Sequence, residues 1–199
     1  MKKNSLLLLA GILLFGTVLA ADDGENSWVV EKFGEKLLTS SGKEVDAKQA
    51  LAGKTVGVYF SASWCGPCRA FTPQLVKFHR QTAKKNNIEI VFASCDKSSQ
   101  AMFDYMKKDN MPWYALPFDG EQSAALKNEL HVSGIPTLAV FGPDGKLVTK
   151  SGRTDVTILG AKAAARWKSS NYKPADAKDA AKNKKNSKKS KSKSSKKKK

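Results

Sequence analysis

"SASWCGPCRAF", residues 61–71, sets Cys65 and Cys68 two residues apart, behind a tryptophan and ahead of a helical run. Before it stands "KTVGVYFSA" (54–62), β-branched, aromatic and bounded by Gly53. That composition predicts a buried strand, and its near-continuous apolar character suits the centre of a sheet covered on both faces. After it, from Gly66 to Lys84, the pattern turns helical, with Ala70, Phe71, Leu75, Val76 and Phe78 able to share one broad face. Pro73 removes a backbone donor inside this helix, so a kink is expected there.

A cysteine pair at a strand-to-helix junction has a chemical logic. Cys65 would sit at the helix N-terminus, where unpaired N–H groups and the helix dipole stabilise a thiolate. A lowered pKa makes it the nucleophile. Cys68, one turn further in, is shielded yet close enough to resolve a mixed disulfide with a substrate. Gly66 and Pro67 fit the tight turn, since proline needs no N–H at a helix start. Two other readings compete. Zinc requires about four ligands, and only Cys95, His79, His131 and carboxylates remain to complete a set. A purely structural disulfide closing so short a loop would add little stability. No metal and no cofactor beyond the cysteine pair are expected.

Elsewhere, "EKLLTSSGKEV" reads as two short extended pieces around a turn, and "DAKQALAG" as a brief helix. "IEIVFASCD" (88–96) is a second core strand, and "SSQAMFDYMKKDN" (98–110) a helix capped by serine. "MPWYALPF" (111–118), with two prolines, reads as a rigid loop or short edge segment, and "EQSAALKNELHV" as another helix. "SGIPTLAVF" and "GPDGKLVTKSG" form a hairpin around Asp144-Gly145. "DVTILGAKAAARWKSS" (155–170) is a final helix with Val156, Leu159, Ala163 and Trp167 inward. The sum is an α/β fold, a central mixed β-sheet flanked by helices. Cys95 reads as a buried free thiol, and His79 and His131 as structural or exposed helix residues.

The 199 residues carry 35 Lys and Arg against 18 Asp and Glu, a formal charge of +17. Residues 1–20 supply +2 of it and residues 173–199 supply +11, which leaves +4 on the body. The start, "MKKNSLLLLAGILLFGTVLA", has two lysines and then an apolar run from Leu6 to Ala20, short for a bilayer span of roughly 20 residues. A cleavable export signal over 1–20 is the main reading, and an uncleaved membrane anchor the alternative. Export leads to a periplasmic or secreted location, where disulfides persist. Three cysteines are an odd count for a stapled secreted scaffold. The folded domain is expected to span 21–172, as a monomer. After Tyr172 the chain is almost entirely Lys, Ser, Ala, Asn and Asp, and residues 173–199 are expected to be disordered. Such a tail suits anionic envelope surfaces; lacking aromatics, it offers no base stacking, so nucleic acid is not an expected partner.

"FSASWCGPCRAFTPQL", "PWYALPF" and "GIPTLAVF" together resemble the thioredoxin superfamily, and specifically its tryparedoxin/nucleoredoxin branch, over roughly residues 36 to 165. The resemblance implies a thioredoxin-like fold and a thiol–disulfide oxidoreductase acting on protein or small-molecule disulfides. Cys65 and Cys68 would be catalytic. Trp64, Gly66, Pro67, Trp113, Ile135 and Pro136 would meet the substrate, with Ile135-Pro136 a cis peptide facing the cysteines and the Ile135 backbone free to pair with an extended segment. The chain departs from the family in three respects. Tyr59 stands where thioredoxins proper carry a buried aspartate, the pair is CGPC where tryparedoxins usually have CPPC, and the chain reads as exported. CGPC suggests a reducing couple near about −270 mV, whose electrons would come from a membrane donor. The rival reading is a basic adhesion or nucleic-acid-binding protein on a redox-inactive scaffold of this fold.

Overall fold

The computed structural model describes residues 26–196, so the export-signal reading of residues 1–20 lies outside the described residues. The chain runs α1 (Ser27–Phe33), β1 (Lys36–Leu38), β2 (Glu44–Asp46), α2 (Ala47–Leu51), β3 (Thr55–Ser61), α3 (Gly66–Asn86) and β4 (Ile88–Ser94). It continues through α4 (Ser99–Lys108), β5 (Tyr114–Ala115), α5 (Glu121–Glu129), β6 (Thr137–Phe141), β7 (Leu147–Thr149), α6 (Gly152–Leu159), α7 (Ala163–Trp167) and α8 (Ala177–Lys196). The strands form one mixed sheet in the order β2-β1-β5-β4-β3-β6-β7. β3 and β4 are parallel with Ser61 opposite Ser94, and β6 joins β3 antiparallel.

Side-chain alternation along β3 divides the core. Val56, Val58 and Phe60 join the cluster with α1, α2 and α5, including Phe33, Leu51 and Leu126. Tyr59 faces the other cluster with α3, α4, α6 and α7, including Phe78, Met102, Val156 and Trp167. Burying each of these large side chains contributes about 1.5–3 kcal/mol. Gly57, between them, has no room for a side chain: a Cβ there would lie 2.7 Å from Ile90 Cδ1 and 3.1 Å from Leu138 Cδ1.

Several expectations are corrected. Ala70 is exposed, because the inward face of α3 runs through Cys68, Phe71, Thr72, Leu75 and Phe78. "MPWYALPF" is no edge: β5 pairs with both β1 and β4 and lies inside the sheet. The predicted helix over 155–170 starts earlier and breaks at Gly160, whose φ of +56° sets off a short 3-10 turn before α7. Helix α1 was not anticipated. His131 lies past the end of α5, exposed, at φ +50°.

Beyond Tyr172, Ala177–Lys196 is helical, and polar contacts reach from the domain into this stretch. The buried carboxylate of Asp155 accepts hydrogen bonds from Trp167 Nε1, Tyr172 Oη and the Ala175 backbone N–H, each at 2.8 Å. Arg166 donates to both carboxylate oxygens of Asp179, and Asn183 Nδ2 donates to the Ile158 carbonyl at 2.7 Å. Polar ties, with Ala175 and Tyr172 packed on the core cluster, hold this stretch against the domain. Among the described residues no helix is long and apolar enough to cross a membrane.

Candidate active site

Because β3 and β4 are parallel and end level, the segments 62–65 and 95–97 leave the sheet side by side. Cys65 caps α3, its Sγ accepting the Cys68 backbone N–H at 3.2 Å. Cys65 and Cys68 are joined as a disulfide, their Cα atoms 5.2 Å apart. Cys65 retains 6% exposure and Cys68 none, so an incoming sulfur meets Cys65. In the dithiol form, the N–H that Cys65 Sγ accepts would stabilise its thiolate.

Ile135–Pro136 is a cis peptide, and the Ile135 carbonyl oxygen lies 3.8 Å from Cys65 Sγ. Ile135 is half-buried and Pro136 buried beneath it. Trp64 is 58% exposed, its indole N–H donating to the Cys95 carbonyl at 3.1 Å. Gly66 and Pro67 are exposed on the first turn of α3. These residues form one patch around the disulfide.

Trp113 does not join that patch. It is buried in the core, edge-on to Tyr59 at 6.3 Å and to His79 at 5.6 Å. The cause is the interior position of β5, which turns the preceding side chain under α3. Its indole N–H is buried without a hydrogen-bond partner. His79 is buried and bonded through Nε2 to Glu89 Oε1 at 2.9 Å. Among the described residues no three His, Cys, Asp or Glu side chains gather as a metal site.

Tyr59 lies under the cysteine pair in a chain of hydroxyls. Thr72 Oγ1 donates to the Cys68 carbonyl at 3.0 Å and lies 2.8 Å from Tyr59 Oη and 2.6 Å from Tyr105 Oη, which reaches Ser61 Oγ at 3.3 Å. Burial pushes the Tyr59 phenol far above its ordinary value, so this position stays neutral where an acid would titrate. Cys95 is a free, half-buried thiol packed against Ala62, Cys65 and Cys68. Burial pushes its pKa up.

A cavity of about 270 Å³ opens beside the first turn of α3, lined by Ser63, Arg69, Asp104, Tyr105, Lys108 and Asp109. A larger cavity, about 660 Å³, lies between α7 and α8 and shares no residue with the cysteine patch. Size is therefore no guide to the site. The sequence reading also missed Asp96, which accepts three hydrogen bonds from residues 63 and 94. The serines of "SAS" and the "SCD" ending the next strand were its signal.

Residues 53–147 match a family model described as thioredoxin-like. The chain is 42% identical to probable nucleoredoxin 1 of Arabidopsis thaliana over 141 residues, 70% of this chain and 22% of that protein. It is 37% identical to human nucleoredoxin over 150 residues, 71% of this chain and 34% of that protein. It thus spans about a fifth to a third of the length of these two relatives. Among solved structures, tryparedoxin from Trypanosoma brucei aligns with a TM-score of 0.62 at 38% identity, covering 69% of this chain and 96% of that one. Tryparedoxin II in complex with glutathionylspermidine aligns at 0.59 and 41% identity, covering 64% and 90%. With its caps, cysteine pair and cis-proline loop in the same fold, the chain belongs to the thioredoxin superfamily of thiol–disulfide oxidoreductases, in its tryparedoxin/nucleoredoxin branch.

Proposed function

We propose that this chain is an exported protein-disulfide reductase that works through Cys65 and Cys68. The observation that carries the reading is the asymmetry of the pair. Cys65 is the accessible sulfur and accepts an α3 N–H, whereas Cys68 is fully buried. The Cys65 thiolate attacks one sulfur of a substrate disulfide, and the departing thiolate takes a proton from solvent. Cys68, giving up its proton, then attacks Cys65 Sγ and releases the second substrate thiol. Two electrons pass to the substrate, and the pair is left as the disulfide. Trp64, Gly66, Pro67 and the Ile135 backbone would seat the substrate, as an extended strand or a small peptide disulfide; the tryparedoxin II complex with glutathionylspermidine supports the second class.

A dithiol donor must reset the pair, and for an exported protein that donor is a membrane protein. Export rests on the lysines and apolar run of residues 1–20. The chain would act as a monomer, with its lysine-rich end resting on anionic envelope surfaces. The test is equilibration with a glutathione buffer and reduction of insulin disulfides. A potential near about −270 mV with turnover supports the reductase, whereas one near about −120 mV would make it an oxidant. A pair that does not cycle sinks the reading. Truncation after Asn186, which spares the packed Ala175 and Asn183, should keep turnover and weaken binding to anionic vesicles.

A further inference from the structure

We propose that Asp96 is a positioning residue for the Cys65 nucleophile, acting through the Ser63–Trp64 approach to it. This inference rests on the exchange reaction proposed above and adds to it the group that aims the reacting sulfur. One carboxylate oxygen, Oδ1, accepts both the Ser63 backbone N–H at 2.8 Å and the Ser63 hydroxyl at 2.7 Å. The other, Oδ2, accepts the Ser94 hydroxyl at 2.8 Å, and the Asp96 N–H returns a bond to Ser94 Oγ at 3.0 Å. Either side of Ser63 the same two segments are tied again, both times through Cys95. The Cys95 N–H bonds the Ser61 carbonyl at 2.8 Å, and the Cys95 carbonyl holds the Trp64 indole.

Each residue from 61 to 64 except Ala62 is thus fastened to the 94–96 segment. Ala62 closes the turn by accepting the Cys65 N–H at 3.2 Å. The path of the backbone into Cys65 is fixed before α3 begins. With it are fixed the direction of Cys65 Sγ toward the α3 N–H groups and its place beside the Ile135 carbonyl. Asp96 itself touches neither cysteine sulfur in this network. It is 9% exposed, which shelters these bonds from competing water. A carboxylate suits the position because three donors converge on it and it has lone pairs for all of them. Asparagine keeps the Oδ1 acceptor for both Ser63 donors and can donate to Ser94 Oγ from its amide. Alanine leaves the Ser63 N–H with no acceptor.

The test uses the full chain with Asp96→Asn, Asp96→Ala and Ser63→Ala, each checked for folding by far-UV circular dichroism. Two rates are measured: reduction of insulin disulfides, and alkylation of Cys65 in the reduced chain by iodoacetamide, followed by peptide mass. The second needs no disulfide substrate, so it reports on positioning even if the reductase reading fails. Asp96→Ala should slow both by about tenfold or more, and Asp96→Asn should recover them to within about threefold, as small misplacements of a reacting atom are costly. Ser63→Ala, which loses the hydroxyl bond and keeps the N–H bond, should fall between. Wild-type rates in Asp96→Ala overturn the proposal. An Asp96→Asn chain as slow as Asp96→Ala overturns it too, by assigning the effect to charge. If Asp96→Ala does not fold, an unaltered Ser63→Ala decides against it and a slowed one in its favour.

Discussion

Asp96 and Asp155 are both buried carboxylates that accept three hydrogen bonds, yet they hold different parts of the molecule. The donors to Asp155 lie 12, 17 and 20 residues downstream, in one continuous C-terminal stretch. The long-range donor to Asp96 is Ser63, 33 residues upstream and two residues from the nucleophilic cysteine. The same local chemistry therefore does two things. At Asp155 it closes the C-terminal stretch onto the domain and adds stability. At Asp96 it joins the ends of two parallel strands and sets reactivity. Each end of the molecule should fail in its own currency when broken.

The largest effect belongs to the reacting sulfur. Cys65→Ser should abolish disulfide turnover to below detection while leaving the urea unfolding midpoint close to that of the reduced wild type. A residual rate above background would mean another thiol carries the exchange, and Cys95, packed in the same cluster, is the first to examine.

At the other end, Asp155→Ala strands the Trp167 and Ala175 N–H groups in a buried setting and should cost about 3 kcal/mol of stability. The rate of insulin reduction by the chain that remains folded should not change. Equal loss in both measurements would break the comparison, by showing that the C-terminal clasp reaches the cysteines. Tyr172→Phe is the milder form, since the hydroxyl bridges Asp155 Oδ2 and Thr149 Oγ1 at the surface of the same clasp. About 1 kcal/mol is expected there, read from the same unfolding curves.

The sequence made the cysteine end far more legible than the clasp. Strands at 55–61 and 88–94, and the helix carrying the pair, announce themselves by near-continuous apolar runs and a 3.6-residue period. The cysteine spacing and the Ile-Pro loop are local motifs and survive without any knowledge of the fold. What stayed hidden depends on pairing between distant segments. Trp113 was placed at the surface because nothing local says that a two-residue strand lies between β1 and β4. Asp96 was passed over because its partner is 33 residues away across a strand crossover. The clasp was missed because composition measures apolar burial, and this segment is held by Asp155, Asp179 and Asn183 acting as polar ties. Disorder rules built on hydrophobicity do not see such contacts.

The smallest effect separates the two roles that Asp96 can have, geometry and charge. Cys95 is pushed above the ordinary thiol range first by burial; Lys127 draws it back and Asp96 adds to the rise. The sign follows directly. A raised pKa means a smaller thiolate fraction at a given pH, so Cys95 in the folded chain should alkylate more slowly at pH 7.5 than an unfolded cysteine, with a rate still climbing above pH 9. The unfolded chain gives up this proton first, so the same shift costs stability as pH rises through the folded pKa. Asp96→Asn should speed Cys95 modestly, by removing a negative charge, while leaving Cys65 nearly untouched, because the Ser63 bonds persist. Peptide-resolved alkylation of the reduced chain reads both thiols in one experiment. Speeding at Cys65 as large as at Cys95 would show that the carboxylate acts on the nucleophile through its field, and the contrast with Asp155 would then be one of charge and not of geometry.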